Sequence, residues 1–115
     1  MDYNNPNNQK YIREIFNTQL KLYSYKSTTK YEIILSLLKK NNNHELNSFY
    51  DKLINIPENI IKLLTLILNS WGLLDHGTDI SFAWLTEDGE IIMEFLRNFG
   101  TDENIWPDWV FQYER

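Results

Sequence analysis

The sequence predicts a single, mostly α-helical domain with a small two-stranded β-hairpin and an aromatic C-terminal tail. Apolar residues recur at helical spacing through most of the chain, whereas one segment alternates apolar with small or polar residues. Thr, Pro, Asn and Gly residues mark where these segments begin and end. The 115 residues, 43 % of them hydrophobic and 15 % aromatic, suffice to bury one core without disulfide bonds, and the chain has no cysteine.

The N-terminal region is predicted to be a flexible arm followed by a helix. Residues 1–8 are rich in asparagine, so we expect them to fray, and residues 9–100 to form the folded domain. From Gln9, a helical stripe is formed by Ile12, Phe16, Leu20 and Tyr23. Residues 24–28 then connect this helix to the next.

The second predicted helix has a clear start. Thr29 and Glu32 have the spacing of a capping box, in which each side chain satisfies a free backbone N–H group. Its buried stripe is expected to comprise Tyr31, Ile34, Leu35 and Leu38. Three asparagines, residues 41–43, are expected to end it, and a short third helix is predicted over about residues 44–54.

The fourth predicted helix, about residues 57–70, is the most apolar segment. Pro57 suits a helix start and Gly72 a helix end. Its apolar face is expected to comprise Ile60, Ile61, Leu64, Ile67, Leu68 and Trp71, with Trp71 buried. The outward polar stripe is expected to comprise Glu58, Lys62, Thr65 and Asn69, with Asn59 alongside. Leu63 and Leu66 lie outside the apolar face, so either another part of the chain covers this side or it joins an interface.

A hairpin and a fifth helix follow. Strands are expected near residues 73–76 and over residues 80–85, joined by a turn at residues 77–79. Thr86 is expected to cap the fifth helix, and Gly100 to end it. Its core face should comprise Ile91, Ile92, Phe95, Leu96 and Phe99. In the tail, residues 101–115, we expect four aromatic residues to cap the core: Trp106, Trp109, Phe111 and Tyr113.

The charges are unevenly distributed. The net charge is −5, but residues 1–40 carry seven bases and three acids, a net of +4. Residues 41–115 carry four bases and thirteen acids, a net of −9. This second part would repel a polyanion, whereas the first part could attract one.

Groupings typical of metal sites or catalysis are weak. His44 with Glu45, and Asp75 and His76 with Asp79, are the metal-like groupings, but a zinc site needs three or four convergent ligands. Glu87, Asp88 and Glu90 lie in a predicted first turn, where the helix dipole favours acids. No phosphate loop, nucleophile elbow or Ser/His/Asp grouping is present. We therefore expect no enzyme activity, no cofactor and no metal.

The chain lacks the sequence signals of membrane proteins and secreted proteins. The longest apolar stretch, residues 60–68, is interrupted by Lys62 and Thr65 and is far shorter than the roughly 20 residues that span a bilayer. The first eight residues do not resemble a signal peptide, since no basic segment precedes an apolar one. We therefore expect a cytoplasmic protein.

Residues 29–99 resemble winged helix–turn–helix proteins, and most closely the MarR and PadR type of bacterial regulator. The shared features are Gly72, Leu73 and Leu74 after the fourth helix, Gly77 in the wing, and the Leu-Thr-x-x-Gly motif at residues 85–89. The resemblance implies a helix–turn–helix with a two-stranded β-wing. It also implies DNA binding, with the fourth helix in the major groove and the wing on the phosphate backbone.

The residues at the expected DNA contacts suggest a different ligand. The outward stripe of the fourth helix has one lysine and no arginine, and the wing carries two acids and no lysine or arginine. The leading hypothesis is a non-catalytic, acidic, winged-helix-type regulator, inhibitor or immunity-type protein. It would bind a basic protein, or a second copy of itself. The partner-binding residues would be Asp75, His76, Asp79, Glu87 and Asp88.

The alternative hypothesis is a dimeric DNA-binding transcriptional regulator of the MarR or PadR type. Bases and tyrosines alternate before the second helix, a pattern that can grip nucleic acid by charge and stacking. Under this alternative the nucleic-acid-binding residues would be Lys21, Tyr25, Lys26, Lys30, Asn59, Lys62, Thr65 and Asn69.

Overall fold

The computed structural model describes residues 5–16, 29–42, 53–79 and 83–111. Within these ranges the elements are α1 (Pro6–Glu14), α2 (Lys30–Lys40), α3 (Glu58–Ser70), β1 (Leu74–Asp75), β2 (Trp84–Leu85) and α4 (Glu87–Phe99). Two 3-10 turns follow, Glu103–Ile105 and Asp108–Phe111. The predicted mostly α-helical fold with a two-stranded hairpin is confirmed. The predicted third helix lies almost entirely outside the described residues.

Helix α1 begins earlier than the sequence predicted. The side-chain oxygen of Asn5 accepts a hydrogen bond from the backbone N–H of Asn7 at 2.9 Å, and Pro6 occupies the first helical position. Residues 6–8, which the sequence assigned to the N-terminal arm, thus lie in the first turn of α1, which Asn5 caps. Ile12 and Ile15 are buried in the core.

Helix α2 begins and ends where the sequence predicted. The Thr29 hydroxyl oxygen accepts from the backbone N–H of Glu32 at 3.3 Å, and the helix ends at Lys40. Its buried surface differs from the predicted stripe, because Ile33 and Leu37 are fully buried and Leu35 is only partly buried. The helix packs against α4, so it buries a wider arc than a single stripe.

Helix α3 ends in a Schellman motif. Gly72 has a φ of +78° and donates its N–H to the Asn69 carbonyl, while Leu73 donates to the Leu68 carbonyl, both at 3.0 Å. Leu68 and Leu73 are both fully buried, which supplies the apolar contact of this motif. The predicted end at Gly72 is confirmed. Pro57 precedes the first helical residue instead of occupying that position.

The buried face of α3 is rotated relative to the prediction. Its buried residues are Ile61, Leu64, Thr65 and Leu68. Trp71, expected to be buried, is only partly buried and packs at the edge of the core. Thr65, expected on the outward stripe, lies on this rotated buried face, and its hydroxyl donates to the Ile61 carbonyl at 2.8 Å, so that the buried hydroxyl has a partner.

The hairpin and α4 form a continuous unit. Strands β1 and β2 are antiparallel, as predicted, with Leu74 opposite Leu85 and Asp75 opposite Trp84. The rest of the second predicted strand, residues 80–82, lies outside the described residues. Helix α4 begins after Thr86 and ends before Gly100, as predicted. Its fully buried side chains include Met93 in place of the expected Ile91 and Phe99, which are partly buried.

An aromatic cluster joins the C-terminal segment to the helices. The Trp106 ring centroid lies 4.7 Å from those of Phe16 and Tyr31 and 5.1 Å from that of Phe95. Its indole N–H donates to the Gly100 carbonyl at 2.9 Å. The expected capping of the core is confirmed for Trp106, whereas Phe111 remains half exposed. Tyr113 lies outside the described residues.

Candidate functional site

Hydrogen bonds from three helices fix the base of the hairpin. The Thr86 hydroxyl donates to the Gly72 carbonyl at 2.6 Å, and its backbone N–H donates to the Leu73 carbonyl at 3.2 Å. The Asn69 side chain donates to the Leu74 carbonyl at 2.8 Å. The Leu85 N–H donates to the carbonyl of Asn41, at the end of α2, at 3.1 Å. The hairpin is therefore held in a defined orientation relative to α2, α3 and α4.

The two faces of the hairpin differ in character. Leu74 is buried and Leu85, opposite it, packs against the core, so this pair faces inward. The next pair, Asp75 and Trp84, faces outward, because side chains alternate between the faces of a strand. The Trp84 side chain is 42 % exposed beside an exposed carboxylate.

Sequence reasoning did not single out Trp84. In the alternating pattern of residues 80–85, Trp84 falls on the same side of the strand as Ile80 and Phe82. In a half-buried strand this apolar side would face the core. Leu85 takes the inward position instead, because it is the residue that pairs with Leu74. The sequence did contain a signal for this orientation in the two leucines of Gly72-Leu73-Leu74. They indicate that β1 is buried, and a buried strand residue needs an apolar residue opposite it, which Leu85 provides.

The beginning of the hairpin turn is organised by two of the predicted partner-binding residues. An Asp75 carboxylate oxygen accepts from the His76 backbone N–H at 2.8 Å. The His76 ring atom Nδ1 lies 2.6 Å from the Gly77 carbonyl oxygen, an acceptor, so Nδ1 carries a hydrogen. Asp79, at the other side of the turn, is exposed. The structure thus brings Asp75, His76 and Asp79 onto one turn.

The other two predicted partner-binding residues lie at the opposite end of β2 from this turn. Glu87 and Asp88 are exposed in the first turn of α4. Burial raises the pKa of Tyr11 on α1, and the charge of Asp88 raises it further. Asp88 therefore lies within electrostatic reach of α1. The five predicted residues form two groups, with Trp84 on the strand between them.

The predicted nucleic-acid-binding residues of α3 do not form one outward surface. Asn59 and Lys62 are exposed, but Thr65 is buried and Asn69 is bonded to the hairpin backbone. Lys30 lies at the start of α2, with its Nζ 4.9 Å from the Tyr31 ring centroid. Lys21, Tyr25 and Lys26 lie outside the described residues.

The outward face of α3 is apolar at its centre. Leu63 is 52 % exposed and Leu66 is 44 % exposed. Ile60, Ile67 and Trp71 are partly buried and lie along one flank of the same face. The sequence left open whether another part of the chain or an interface covers this side, and within the described residues both leucines stay exposed.

The described residues provide no other indication of function. Among them, no group of three His, Asp or Glu side chains is arranged to hold a metal ion. No helix in the described ranges combines the length and the apolar character needed to cross a membrane. Comparisons with protein-family models, with curated proteins and with solved structures found no match to this chain.

Proposed function

We propose that this protein is a non-catalytic, winged-helix-type binding protein that recognises a basic protein through the outer face of its hairpin. The observation that carries the proposal is the outward pair of Asp75 and Trp84. Tryptophan is among the residues that contribute most to protein interfaces. A partner arginine could lay its guanidinium group on the indole ring while donating hydrogen bonds to the neighbouring carboxylate.

The electrostatics of the surrounding surface support a basic partner. Residues 41–115 carry a net charge of −9, and Asp79, Glu87 and Asp88 are all exposed. A surface of one sign accelerates encounter with a partner of the opposite sign and does so most at low salt. The acids would therefore increase the association rate, while Trp84 would slow dissociation.

The order of the elements supports the winged-helix comparison. Helices α2 and α3 precede a two-stranded hairpin, and α4 begins within the Leu-Thr-x-x-Gly motif, directly after its threonine. Such a fold presents α3 and the wing to a ligand. A small regulator, inhibitor or immunity-type protein could use the wing for a protein instead of DNA.

Binding of DNA as a transcriptional regulator is the alternative, and the geometry of α3 favours it less. Two of its four proposed contacts, Thr65 and Asn69, already have hydrogen-bond partners within the fold. Lys62 is the one base on this helix. We expect no binding to duplex DNA tighter than about micromolar at physiological salt, the non-specific range.

The proposal is tested by affinity capture followed by binding kinetics. Wild-type protein and the Trp84→Ala and Asp75→Asn variants are used to capture partners from extract, and any partner is then purified. Controls of the same chemical type are Phe111→Ala, which removes an exposed aromatic ring elsewhere, and Glu90→Gln, which removes an exposed carboxylate on α4. We expect one basic partner, lost with Trp84→Ala and retained with both controls.

Association rates across a salt series separate the two roles. The double variant Asp75→Asn/Asp79→Asn should associate more slowly than wild type and show a weaker salt dependence, with little change in folding stability. Rates that respond neither to salt nor to this double variant would contradict the acidic-surface mechanism. A nanomolar duplex site selected from random DNA would overturn the proposal in favour of the alternative.

A further inference from the structure

Four of the exposed residues of α3 follow a symmetric pattern. Asn59, Leu63, Leu66 and Ser70 are all exposed and are separated by intervals of four, three and four residues. These intervals place them along one line on the helix, opposite the buried Ile61, Leu64 and Leu68. The line has two leucines at its centre and a polar residue at each end, and it has the same pattern of intervals in both directions.

From this pattern we infer that a second copy of the chain docks antiparallel on α3, forming a two-fold symmetric dimer. A two-fold symmetric interface must be self-complementary. If one residue contacts a second residue on the other copy, then that second residue on the first copy contacts the first residue on the other. With the axis between residues 64 and 65, Leu63 faces Leu66 of the second copy, and Asn59 faces Ser70 of the second copy. The apolar centre meets an apolar centre, and polar ends meet polar ends.

The flanks of α3 fit the same arrangement. In an antiparallel pair each flank meets its own counterpart. The helix rises about 1.5 Å per residue. Measured along the helix axis, Ile60 of one copy is therefore about 3 Å from the level of both Ile67 and Trp71 of the second copy. These three residues are partly buried in the single chain, and pairing would cover their remaining exposed surface. The contact would therefore continue the core of each copy across the axis.

The charges on α3 allow a second copy to approach this face. Within residues 58–70 the charged residues are Glu58 and Lys62, one acid and one base. Glu58 and Lys62 lie four residues apart, on the flank opposite Ile60 and Ile67. In each copy the lysine is therefore one helical turn from a glutamate of the same helix. The face is therefore neutral, whereas residues 41–115 as a whole carry −9 and would repel a copy of themselves.

The size of the contact sets the expected affinity. Helix α3 has 13 residues and is about 20 Å long. One pair of such helices buries less than the roughly 1,600 Å² of a standard interface, so the dimer should be weak, with a Kd in the micromolar range. The proposed dimer contact is made by α3, whereas the proposed partner contact is made by Asp75 and Trp84 on the hairpin.

The first experiment measures mass against concentration. Sedimentation equilibrium from about 1 to about 500 µM, a range chosen for a weak interface, should show a monomer converting to a dimer. Leu63→Glu should weaken the dimer at least about tenfold, because it places a charge in the apolar centre. The control Ile105→Glu changes an apolar residue that is 69 % exposed elsewhere and should leave the dimer unchanged. Circular dichroism checks that both variants are folded.

The second experiment tests the orientation and uses the absence of cysteine in the chain. The variants Asn59→Cys and Ser70→Cys are mixed in equal amounts and oxidised. Antiparallel docking predicts that the disulfide between positions 59 and 70 predominates over those between like positions. A monomer at every concentration, a dimer insensitive to Leu63→Glu, or a statistical mixture of disulfides would overturn the inference. Partner capture by the monomeric variant would show separately whether the hairpin proposal holds.

Discussion

Gly89, in the first turn of α4, packs directly against the carbonyl group of Leu73. A Cβ atom at position 89 would overlap the Leu73 oxygen and lie 2.8 Å from Cδ1 of Leu85. The same carbonyl accepts the backbone N–H of Thr86. The Leu-Thr-x-x-Gly motif therefore has a physical basis. Its threonine caps α4, and its glycine lets the first turn of α4 lie against the backbone of Leu73.

The Gly89→Ala variant should be strongly destabilised. Its Cβ would collide with backbone, which cannot move aside as a flexible side chain can. We expect the free energy of unfolding to fall by about 3 kcal/mol, at the upper end of overpacking effects. Gly77→Ala is the matched control, since a Cβ there meets no atom within 4 Å, and it should change stability by less than about 1 kcal/mol. Urea denaturation of both variants measures the difference.

Thr86→Ala should lose two interactions at once. The hydroxyl accepts the Gly89 N–H at 2.9 Å and donates to the Gly72 carbonyl at 2.6 Å, joining the start of α4 to the end of α3. Loss of a helix cap costs about 1–2 kcal/mol. Thr86→Ser keeps the hydroxyl and should retain most of the stability. Equal losses in the two variants would show that the methyl group, and not the hydroxyl, is responsible.

The two tryptophans Trp106 and Trp71 should differ in their contribution to stability. Trp106 is 5 % exposed, packs in the aromatic cluster and donates to Gly100, so Trp106→Ala should cost about 3–5 kcal/mol. Trp71 is only partly buried at the end of α3, so Trp71→Ala should cost clearly less, about 1–3 kcal/mol. Thermal denaturation of both variants gives the ranking, and the reverse order would contradict the placement of these rings.

The ends of the helices could be predicted from sequence because they depend on local chemistry. Thr29 and Thr86 cap the helices that the sequence assigned to them, and Gly72 and Gly100 adopt the positive φ that ends a helix. Each of these signals involves residues at most five positions apart. Asn5 belongs to the same class, but the surrounding asparagines obscured it.

The orientation of individual side chains could not be predicted, because it depends on contacts between distant residues. The strand pattern favoured Trp84 as an inward residue, and only the pairing of Leu74 with Leu85 turns it outward. Thr65 is buried because α3 is rotated by its packing, which no local spacing reveals. The sequence alone therefore pointed to the hairpin as the candidate binding surface. That Trp84 belongs to this surface became visible only from the pairing of the strands.

Tyr11→Phe should leave stability unchanged or increase it. The Tyr11 hydroxyl oxygen is buried and has no hydrogen-bond partner among the described residues. A buried polar group without a partner loses its hydration, so its removal should raise the free energy of unfolding by about 1 kcal/mol. Tyr31→Phe is the matched control, because the Tyr31 hydroxyl donates to Glu103, and it should lower stability. A loss in Tyr11→Phe as large as that in Tyr31→Phe would indicate that Tyr11 does have a partner.

Tyr31 should make the protein sensitive to alkaline pH. Burial, followed by the charge of Glu103 and the hydrogen bond to it, raises the pKa of Tyr31 from 10.0 to about 12. A raised pKa means that the folded protein holds this proton more tightly than the unfolded chain does. Its contribution to stability is therefore complete below pH 10 and declines as the pH rises toward 12.

The measurement compares unfolding free energies by urea denaturation between about pH 8 and pH 11.5, within the window set by this shift. Because the pKa of Tyr11 is raised in the same direction, Tyr11→Phe serves as the background and Tyr11→Phe/Tyr31→Phe as the comparison. The background protein should lose stability above pH 10 faster than the double variant, so that the advantage of Tyr31 shrinks with rising pH. Parallel curves for the two proteins across this range would show that Tyr31 ionises equally in the folded and unfolded states, which would contradict the raised pKa.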